Sequence, residues 1–548
     1  MSGRLRDFAD YLVILYGWKR GLAALLAGGF AALALPPFFL LPALVISLPI
    51  LALLLDGADA DPPVDRKSRR VFGRPGFFWT GWWFGFGWFL VGLSWITEAL
   101  LVDADAHAWL IPFALLFIPG GLAFFHAIAC GVAGFFWPTG AWRLVVLASS
   151  LAGVEWLRGV LLTGFPWNGL NLALAGHDWL IQGFAVTGAP LATLLLALVA
   201  LAPATLWPHG IQANGSKLFI LACAAIACGW VMFGAARVLV ADAPVVEEDV
   251  FRVVQPNIAQ VDKWDPSLAG QHLGTLLQLT SEPENADDLA MLGATHVVWP
   301  ESAFPFLIAE RPDALRQIAQ ALPIGTTLIS GAVRSHVQFG ERVFGNSVFA
   351  FNDRGEIIDA YDKVRLVPFG EMLPFSRTLD RLGIRALVGA PAGFVPGPDL
   401  TPIRSASGFS SLPLICYEVV FASFVRKGIL AHRPRYLLNV TNDAWFGASA
   451  GPHQHFHQAR LRSVETGVPM VRSANTGISA IIDGKGRVVA SIPLAEQGVL
   501  AAPLPGKLDP TPYLKFGDLP FTAIIALVAL VSLYLRLTNR HERASARV

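Results

Sequence analysis

The stretch SLPLICYEVVF, Ser411 to Phe421, decides how the whole chain is read. A short apolar run, Leu412 to Ile415, reads as a strand that ends in a turn at Cys416, with Tyr417 and Glu418 opening the next element. A cysteine at such an elbow is pushed out of the sheet, where a substrate can reach it and a neighbouring carboxylate can hold or deprotonate it. The same stretch alone also reads as a small core residue closing an apolar strand. Two upstream stretches favour the first reading. WPES, Trp299 to Ser302, and DKVRLVPFGE, Asp362 to Glu371, each set a charged residue straight after a predicted strand.

Around these stretches the composition is that of a membrane protein. Of 548 residues, 54% are hydrophobic and 15% charged, and the mean hydropathy is +0.53, values outside the range of soluble enzymes. The net charge of +1 hides a segregation, because long charge-free runs fill the first 240 or so residues and most charge lies from Glu247 onward. No basic patch for nucleic acid stands out. Of the four cysteines, Cys130, Cys223 and Cys228 fall in apolar runs and only Cys416 lies in the polar half. That half therefore has no second thiol for an internal disulfide, and no CxxC or zinc-ligand spacing occurs.

Roughly 20 apolar residues cross a hydrocarbon core about 30 Å thick. Seven runs near that length precede the polar half: Gly21 to Leu35, Phe38 to Leu55, Phe77 to Thr97, Trp109 to Phe135, Leu144 to Leu157, Gln182 to Leu206 and Leu218 to Val238. An eighth, Leu519 to Leu537, follows it. Met1 to Arg20 reads as a cytoplasmic lead-in, since no small-residue cleavage pattern follows a compact apolar core. Arg66 to Arg70 with Arg74, then Arg143, Lys217 and the arginines from Arg536 to Arg547 all fall on one side if the N-terminus is inside. Parity then puts residues 239–515 outside. Dense Trp and Phe, as in Trp79 to Phe89, read as an interfacial belt, and Leu157 to Gly169 reads as a reentrant loop or a lipid lining. Glu155 and Arg158, near a span end, read as a pair, so no chain of charges suggests a transport path.

The outer block alternates strands with helices. Val250 to Ile258, Thr295 to Val298 and the run from Thr326 read as strands, while Ser267 to Leu292 and Pro312 to Ala321 carry helical spacing. FNDRGEIIDAYDK and DGKGRVVAS read as hairpins, Pro434 to Gly447 as a further strand and turn, and Gly451 to Thr466 as a helix. The sum is a mixed α/β domain.

If Cys416 attacks a carbonyl, a base must be at hand, because a free thiol of pKa about 8.5 is mostly protonated at neutral pH. Glu301, enclosed by Trp299, Pro300 and Phe304, is the candidate, and Lys363 is the cation for the oxyanion that forms. Glu371 orients Lys363 or shares the proton transfers, and Glu418 is either an acid behind the site or a cap of the elbow. His453, His455 and His457 invite a metal reading, but only His453 and His457 share a helix face, and no carboxylate or HExxH accompanies them. A polar helix start is the better account, and no metal is expected.

WPES with Glu301, DKVRLVPFGE with Lys363 and Glu371, and LICYE with Cys416 together resemble the nitrilase superfamily, whose Glu-Lys-Cys triad sits on an αββα sandwich. With LTGFPW, KWD at Lys263 to Asp265, NDAWFG at Asn442 to Gly447 and the apolar runs, the chain from end to end is similar to the bacterial apolipoprotein N-acyltransferase family. The resemblance implies a polytopic α-helical membrane protein of about eight transmembrane helices carrying an α/β nitrilase-like sandwich. Its divisions would be a seven-helix membrane domain over 1–238, an extracytoplasmic catalytic domain over 239–515, and a last helix with a basic cytoplasmic tail over 516–548. It implies ping-pong transfer at the outer face of the bacterial inner membrane. Cys416 takes an acyl chain from a phospholipid, and the amine of a diacylglyceryl-cysteine at an apolipoprotein N-terminus accepts it. Glu301, Lys363 and Cys416 would be catalytic, Glu371, Tyr417 and Glu418 supporting, and Trp264 and Trp445 in contact with substrate. No cofactor and no nucleic acid enter, and the expected state is a monomer. The alternative is a membrane-tethered nitrilase-type amidase, because water and an amine attack the same thioester. Loop differences around Val388 to Asp399 leave lid behaviour open.

Overall fold

The computed structural model describes residues 3–60, 75–208, 214–240, 243–281, 293–338, 340–372 and 394–545. The cluster Arg66 to Arg70 with Arg74, the end of the helix expected to reach Leu292, the loop from Val388 as far as residue 393, and the side chains of Arg540, Arg543 and Arg547 lie outside the described residues. Two compact units form. One comprises Met1–Leu100, Ala104–Leu239 and Phe516–Val548, and the other Val240–Lys515 with Leu101–Asp103.

In the first unit each of the eight apolar runs falls on a helix: Gly17–Ala31, Pro42–Asp59, Pro75–Gly92, Ile111–Phe136, Trp142–Arg158, Phe184–Leu201, Asn214–Leu239 and Leu519–Ser545. Five helices among the described residues are long and apolar enough to cross a membrane, or six if the bent pair Pro75–Gly92 and Ser94–Leu101 counts as one span. Gly17–Ala31 has 15 residues and Trp142–Arg158 has 17, just below and at the lower end of the roughly 17–25 residues of a spanning helix. The first helix starts earlier than its apolar run because Arg20 is buried and its Nε donates to the Leu15 carbonyl at 2.8 Å. Gly17–Ala31 and Pro75–Gly92 meet backbone to backbone. A Cβ on Gly28 would lie 1.9 Å from the Phe84 oxygen, and one on Gly87 2.0 Å from the Leu25 oxygen, so no larger residue fits either place.

Buried charge in this unit is spent on structure. Arg143 pairs with Asp56 at 3.0 Å. Glu155 accepts from the Leu170 N–H at 3.2 Å, and Arg158 donates to the Phe165 and Trp167 carbonyls, each at 2.5 Å. The two side chains therefore pin the Leu157 to Gly169 stretch, with Trp167 and Asn168 buried.

The second unit is built on twelve strands among the described residues: β1 (Val246–Gln255), β2 (His296–Trp299), β3 (Thr327–Gln338), β4 (Glu341–Phe351), β5 (Ile357–Asp362), β6 (Ile403–Arg404), β7 (Ser410–Ile415), β8 (Tyr436–Thr441), β9 (Met470–Ala474), β10 (Ser479–Ile482), β11 (Val488–Ile492) and β12 (Gly498–Leu504). One sheet runs β12-β1-β2-β3-β4-β5 and the other β11-β10-β9-β8-β7-β6. In each, three central strands are parallel (β1, β2, β3 and β7, β8, β9) and the outer ones antiparallel. Strands β2, β8 and β9 are buried throughout, which is why they read as largely apolar runs without alternation.

The sheets lie face to face: Ser473 Oγ on β9 donates to the Val254 carbonyl on β1 at 3.1 Å, and Phe251 meets Tyr436 at 4.9 Å between ring centroids. Helices cover the outer faces. Ala269–Ser281 and Pro312–Ala321 bury Leu273, Leu276, Ala314 and Ile318 against Val297, Trp299 and Leu328, each large apolar side chain contributing about 1.5–3 kcal/mol. Ala422–His432 lies on the second sheet so closely that a Cβ on Gly428 would meet Leu412 Cδ1 at 2.9 Å. Two hairpins expected from the sequence are present, β4–β5 and β10–β11. This αββα arrangement leaves the ends of strands from both sheets to supply side chains to one place.

Candidate active site

Glu301 stands two residues past the end of β2 and is buried. Its Oε1 accepts from Asn346 Nδ2 at 2.7 Å and its Oε2 from the Asn442 N–H at 2.8 Å. Asn346 is on β4 and Asn442 follows β8, so both sheets grip one carboxylate. Gly331 on β3 makes room for it: a Cβ there would lie 2.5 Å from Glu301 Cα and 2.7 Å from the Pro300 oxygen. One donor from each sheet thus fixes the carboxyl where a base must stand.

Lys363 leaves the end of β5 and is almost wholly buried, with Nζ 2.8 Å from Glu371 Oε1 and 3.5 Å from Glu301 Oε1. Burial alone would pull its pKa down, but the Glu371 and Glu301 charges reverse that and hold the ammonium well above the usual lysine range. Asn346 Nδ2 also donates to Glu371 Oε1 at 2.8 Å, and the Val367 N–H binds Glu371 Oε2 at 2.8 Å. One cation is thus locked between two fixed carboxylates.

Cys416 follows β7 as the first residue of a 3₁₀ turn, Cys416–Val420, with φ +48, a left-handed conformation costing about 1–3 kcal/mol in a residue other than glycine. Such strain marks an elbow that the surroundings hold in place. Glu418 is the main brace. Its Oε1 accepts from Tyr361 Oη at 2.8 Å and from the Val364 and Arg365 N–H groups at 2.8 and 3.1 Å, and its Oε2 accepts from the Ile415 N–H at 2.8 Å. The carboxylate therefore ties the end of β7 to the segment that carries Lys363. Burial pushes the Cys416 thiol up, the Glu301 charge adds to this, and Lys363 opposes it. The resting group is a neutral thiol beside a carboxylate and an ammonium. That set can move a proton from sulfur to carboxylate and place positive charge on a developing oxyanion.

The structure brings Glu301, Lys363, Glu371 and Cys416 together, with Glu418 beneath the elbow. Tyr417 packs edge-on to Phe421 at 4.9 Å between centroids. Trp264 is 42% exposed on the turn after β1, and Trp445 is half-buried in the turn Asp443–Phe446 after β8. Three further residues were given no role in the site from the sequence. Asn346 bridges two carboxylates from a strand interior. Lys263, beside Trp264, is buried and donates Nζ to the Glu301 carbonyl at 3.1 Å, and burial draws its pKa down to about 8. His455, set aside in favour of its i,i+4 neighbours, faces inward instead, with Nε2 3.1 Å from the Cys416 carbonyl and Nδ1 2.8 Å from Asp443 Oδ1. The signal for Lys263 was the KWD motif itself, while nothing local marked Asn346. Cys416, Asp443 and His455 bring metal-ligand atoms within 4.8 Å of one another, but Arg472 Nη2 already sits 2.7 Å from Asp443 Oδ2, where its charge opposes a second cation.

A thiol, a carboxylate and an ammonium converging between two such sheets define a carbon-nitrogen hydrolase type of domain, and residues 252–513 match the family model described as carbon-nitrogen hydrolase. Residues 27–202 match the model described as apolipoprotein N-acyltransferase N-terminal domain. Curated relatives extend the likeness over almost the full chain. An apolipoprotein N-acyltransferase of Rhodopseudomonas palustris is 39% identical over 97% of this chain and 98% of its own, and one of Bradyrhizobium diazoefficiens is 40% identical over 98% and 99%. Among solved structures, an amidase from Nesterenkonia sp. aligns with 51% of this chain and 97% of its own at 18% identity and a TM-score of 0.35, too low to add weight. This chain belongs to the apolipoprotein N-acyltransferase family.

Proposed function

We propose that this protein transfers a fatty acyl chain from a phospholipid to the N-terminal amine of diacylglyceryl-cysteine on apolipoproteins, through a thioester on Cys416. The observation that carries the reading is the convergence of Glu301, Lys363, Glu371 and Asn346 beside the Cys416 elbow, in a chain whose relatives bear that activity's name over nearly their whole length. The match of residues 27–202 to the family's own N-terminal domain favours this over a tethered amidase, which would need no such membrane region.

The steps follow from the site. Cys416 gives its proton to Glu301, and sulfur attacks the ester carbonyl of the lipid. The oxyanion meets the Lys363 ammonium, whose loss would cost about 3–4 kcal/mol of transition-state stabilisation. Collapse breaks the ester C–O bond, the lysophospholipid oxygen takes the proton from Glu301, and the thioester remains. In the second half the acceptor amine attacks the thioester and passes a proton to Glu301. The C–S bond breaks, and Glu301 returns the proton to sulfur. Glu371, Asn346 and Glu418 hold the participants in place, and Trp264 and Trp445 flank the acyl and acceptor chains. No cofactor is required.

In this reading the eight apolar helices all cross the membrane, with the N-terminus and basic loops inside. Residues 239–515 then form the catalytic domain on the periplasmic side, between a membrane domain over 1–238 and a last span and tail over 516–548. The chain acts as a monomer. The test supplies detergent-solubilised protein with phosphatidylethanolamine and a synthetic diacylglyceryl-cysteine peptide. Equal amounts of lysophospholipid and N-acylated peptide are expected. Lysophospholipid with free fatty acid and an untouched peptide would mean hydrolysis instead of transfer.

A further inference from the structure

The ring of His455 lies between two acceptors. On one side is Asp443 Oδ1, 2.8 Å from Nδ1, and on the other the carbonyl oxygen of Cys416, 3.1 Å from Nε2. A peptide carbonyl only accepts, and so does an ionised carboxylate. Asp443 is ionised: the Arg472 guanidinium sits 2.7 Å from its Oδ2, and Thr441 Oγ1 donates to its Oδ1 at 2.9 Å. Each ring nitrogen then needs a hydrogen, which makes His455 an imidazolium. All of this is sealed from water, since His455, Asp443 and Arg472 are each fully buried.

We propose that His455 is a positioning residue for the nucleophile. Its charged ring anchors the Cys416 carbonyl, and so fixes the peptide plane that leaves Cys416 in its left-handed conformation, while its positive charge lowers the cost of forming the thiolate. The proposal rests on reading Cys416 as the nucleophile. The charged groups that face the ring are Asp443 from the turn after β8, Arg472 from β9, with Nη2 3.3 Å from Nδ1, and the Cys416 thiol itself. Asp443 balances only one of the two cations. The three residues together are thus net positive, with ligand atoms of His455 and Asp443 within 4.8 Å of sulfur on the side of the elbow given by β8 and β9, where Asp443 alone pushes the thiol up, whereas Lys363 comes from the other sheet. Because the six atoms of a peptide are coplanar, a carbonyl held by a bond to a fixed ring also fixes where the following N–H points. On the same helix, His457 Nδ1 faces Arg460 Nη1 at 3.3 Å.

Full-length protein in detergent, as wild type, His455→Gln and His455→Ala, separates the two roles. Glutamine keeps a donor for the carbonyl and removes the charge, whereas alanine removes both. The readouts are the pH dependence of Cys416 alkylation by iodoacetamide and the rate of Cys416 acylation by phosphatidylethanolamine. For His455→Gln the alkylation midpoint moves up by about one pH unit and acylation at pH 7.5 falls about 10-fold, with half-saturating lipid unchanged. For His455→Ala acylation falls about 100-fold, the scale of a misplaced nucleophile. Alkylation and acylation of His455→Gln within twofold of wild type, with the same midpoint, would overturn the proposal. Should the variants not fold, the ring nitrogens are observed by NMR in ¹⁵N-histidine wild type, His455 being the ring whose signal moves when Cys416 is alkylated. Two protonated nitrogens are expected under the conditions of the acylation assay, and a ring with one N–H overturns the proposal. Wild type that alkylates at Cys416 but never acylates would count against the nucleophile reading, while the alkylation profiles still decide the role of His455.

Discussion

Replacing Glu418 by glutamine changes one atom and tests what braces the elbow. The four groups that face this carboxylate are all donors: Tyr361 Oη, and the N–H groups of Val364, Arg365 and Ile415, between 2.8 and 3.1 Å away. Burial pushes the carboxyl up to about 7, against the pull of those donors, so above that pH it is an anion. A glutamine in the same place turns an NH₂ toward at least one donor. The least disruptive pose keeps the three bonds at Oε1 and faces Nε2 to Ile415, losing one charge-assisted bond and leaving one buried N–H dry, about 2–4 kcal/mol together. At roughly 2–4 °C per kcal/mol for a domain of 150–250 residues, the midpoint should fall by about 4–16 °C. Ile415 adjoins Cys416, so its release displaces the nucleophile, and acylation should drop at least 10-fold. Thermal unfolding in detergent at pH 8, beside the rate of Cys416 acylation, measures both. An unchanged midpoint and rate would mean that Glu418 is protonated and the brace does not depend on its charge.

The same contacts make other substitutions informative. Gly331→Ala should fold yet lose acylation about 100-fold, because its Cβ would overlap Glu301 Cα and shift the base; near-normal activity would show that the close approach is not needed. Asn346→Leu removes the donor shared by Glu301 and Glu371, so acylation should fall about 100-fold with lipid half-saturation unchanged, as read from single-turnover rates. The pKa of Lys263, drawn down to about 8 from 10.5, makes the unfolded chain bind more protons between those values, so this residue's contribution makes stability rise with pH from about 8 to 10.5. Comparing melting of wild type and Lys263→Met across that window should show the wild type gaining on the variant, and parallel curves would contradict the burial of a charged lysine.

The sequence made legible those parts of the site that sit where a strand stops. Glu301 two residues past Trp299, Lys363 after Asp362 and Cys416 after Ile415 each put a reactive group where a strand ends, a local pattern that chemistry alone makes suspicious. Both hairpins and the helix Pro312–Ala321 were equally local. What could not be read depends on which strands lie side by side. Asn346 looks like a polar residue in an ordinary strand until β4 is seen between β3 and β5, next to β2's carboxylate by way of β3. His455 failed for a different reason: helical periodicity tells which histidines share a face, but not which face packs on the elbow. The apolar runs were all found as helices, whereas their number as membrane crossings was harder to read, since Gly17–Ala31 and Trp142–Arg158 are short.

The central claim is that Cys416 carries the acyl group. Detergent-purified protein is incubated with phosphatidylethanolamine and no acceptor, and the peptide containing Cys416 is weighed by mass spectrometry. The account predicts a fatty-acyl adduct on Cys416 that hydroxylamine removes and that Cys416→Ala lacks. Folded, lipid-bound protein that yields neither this adduct nor lysophospholipid would contradict it.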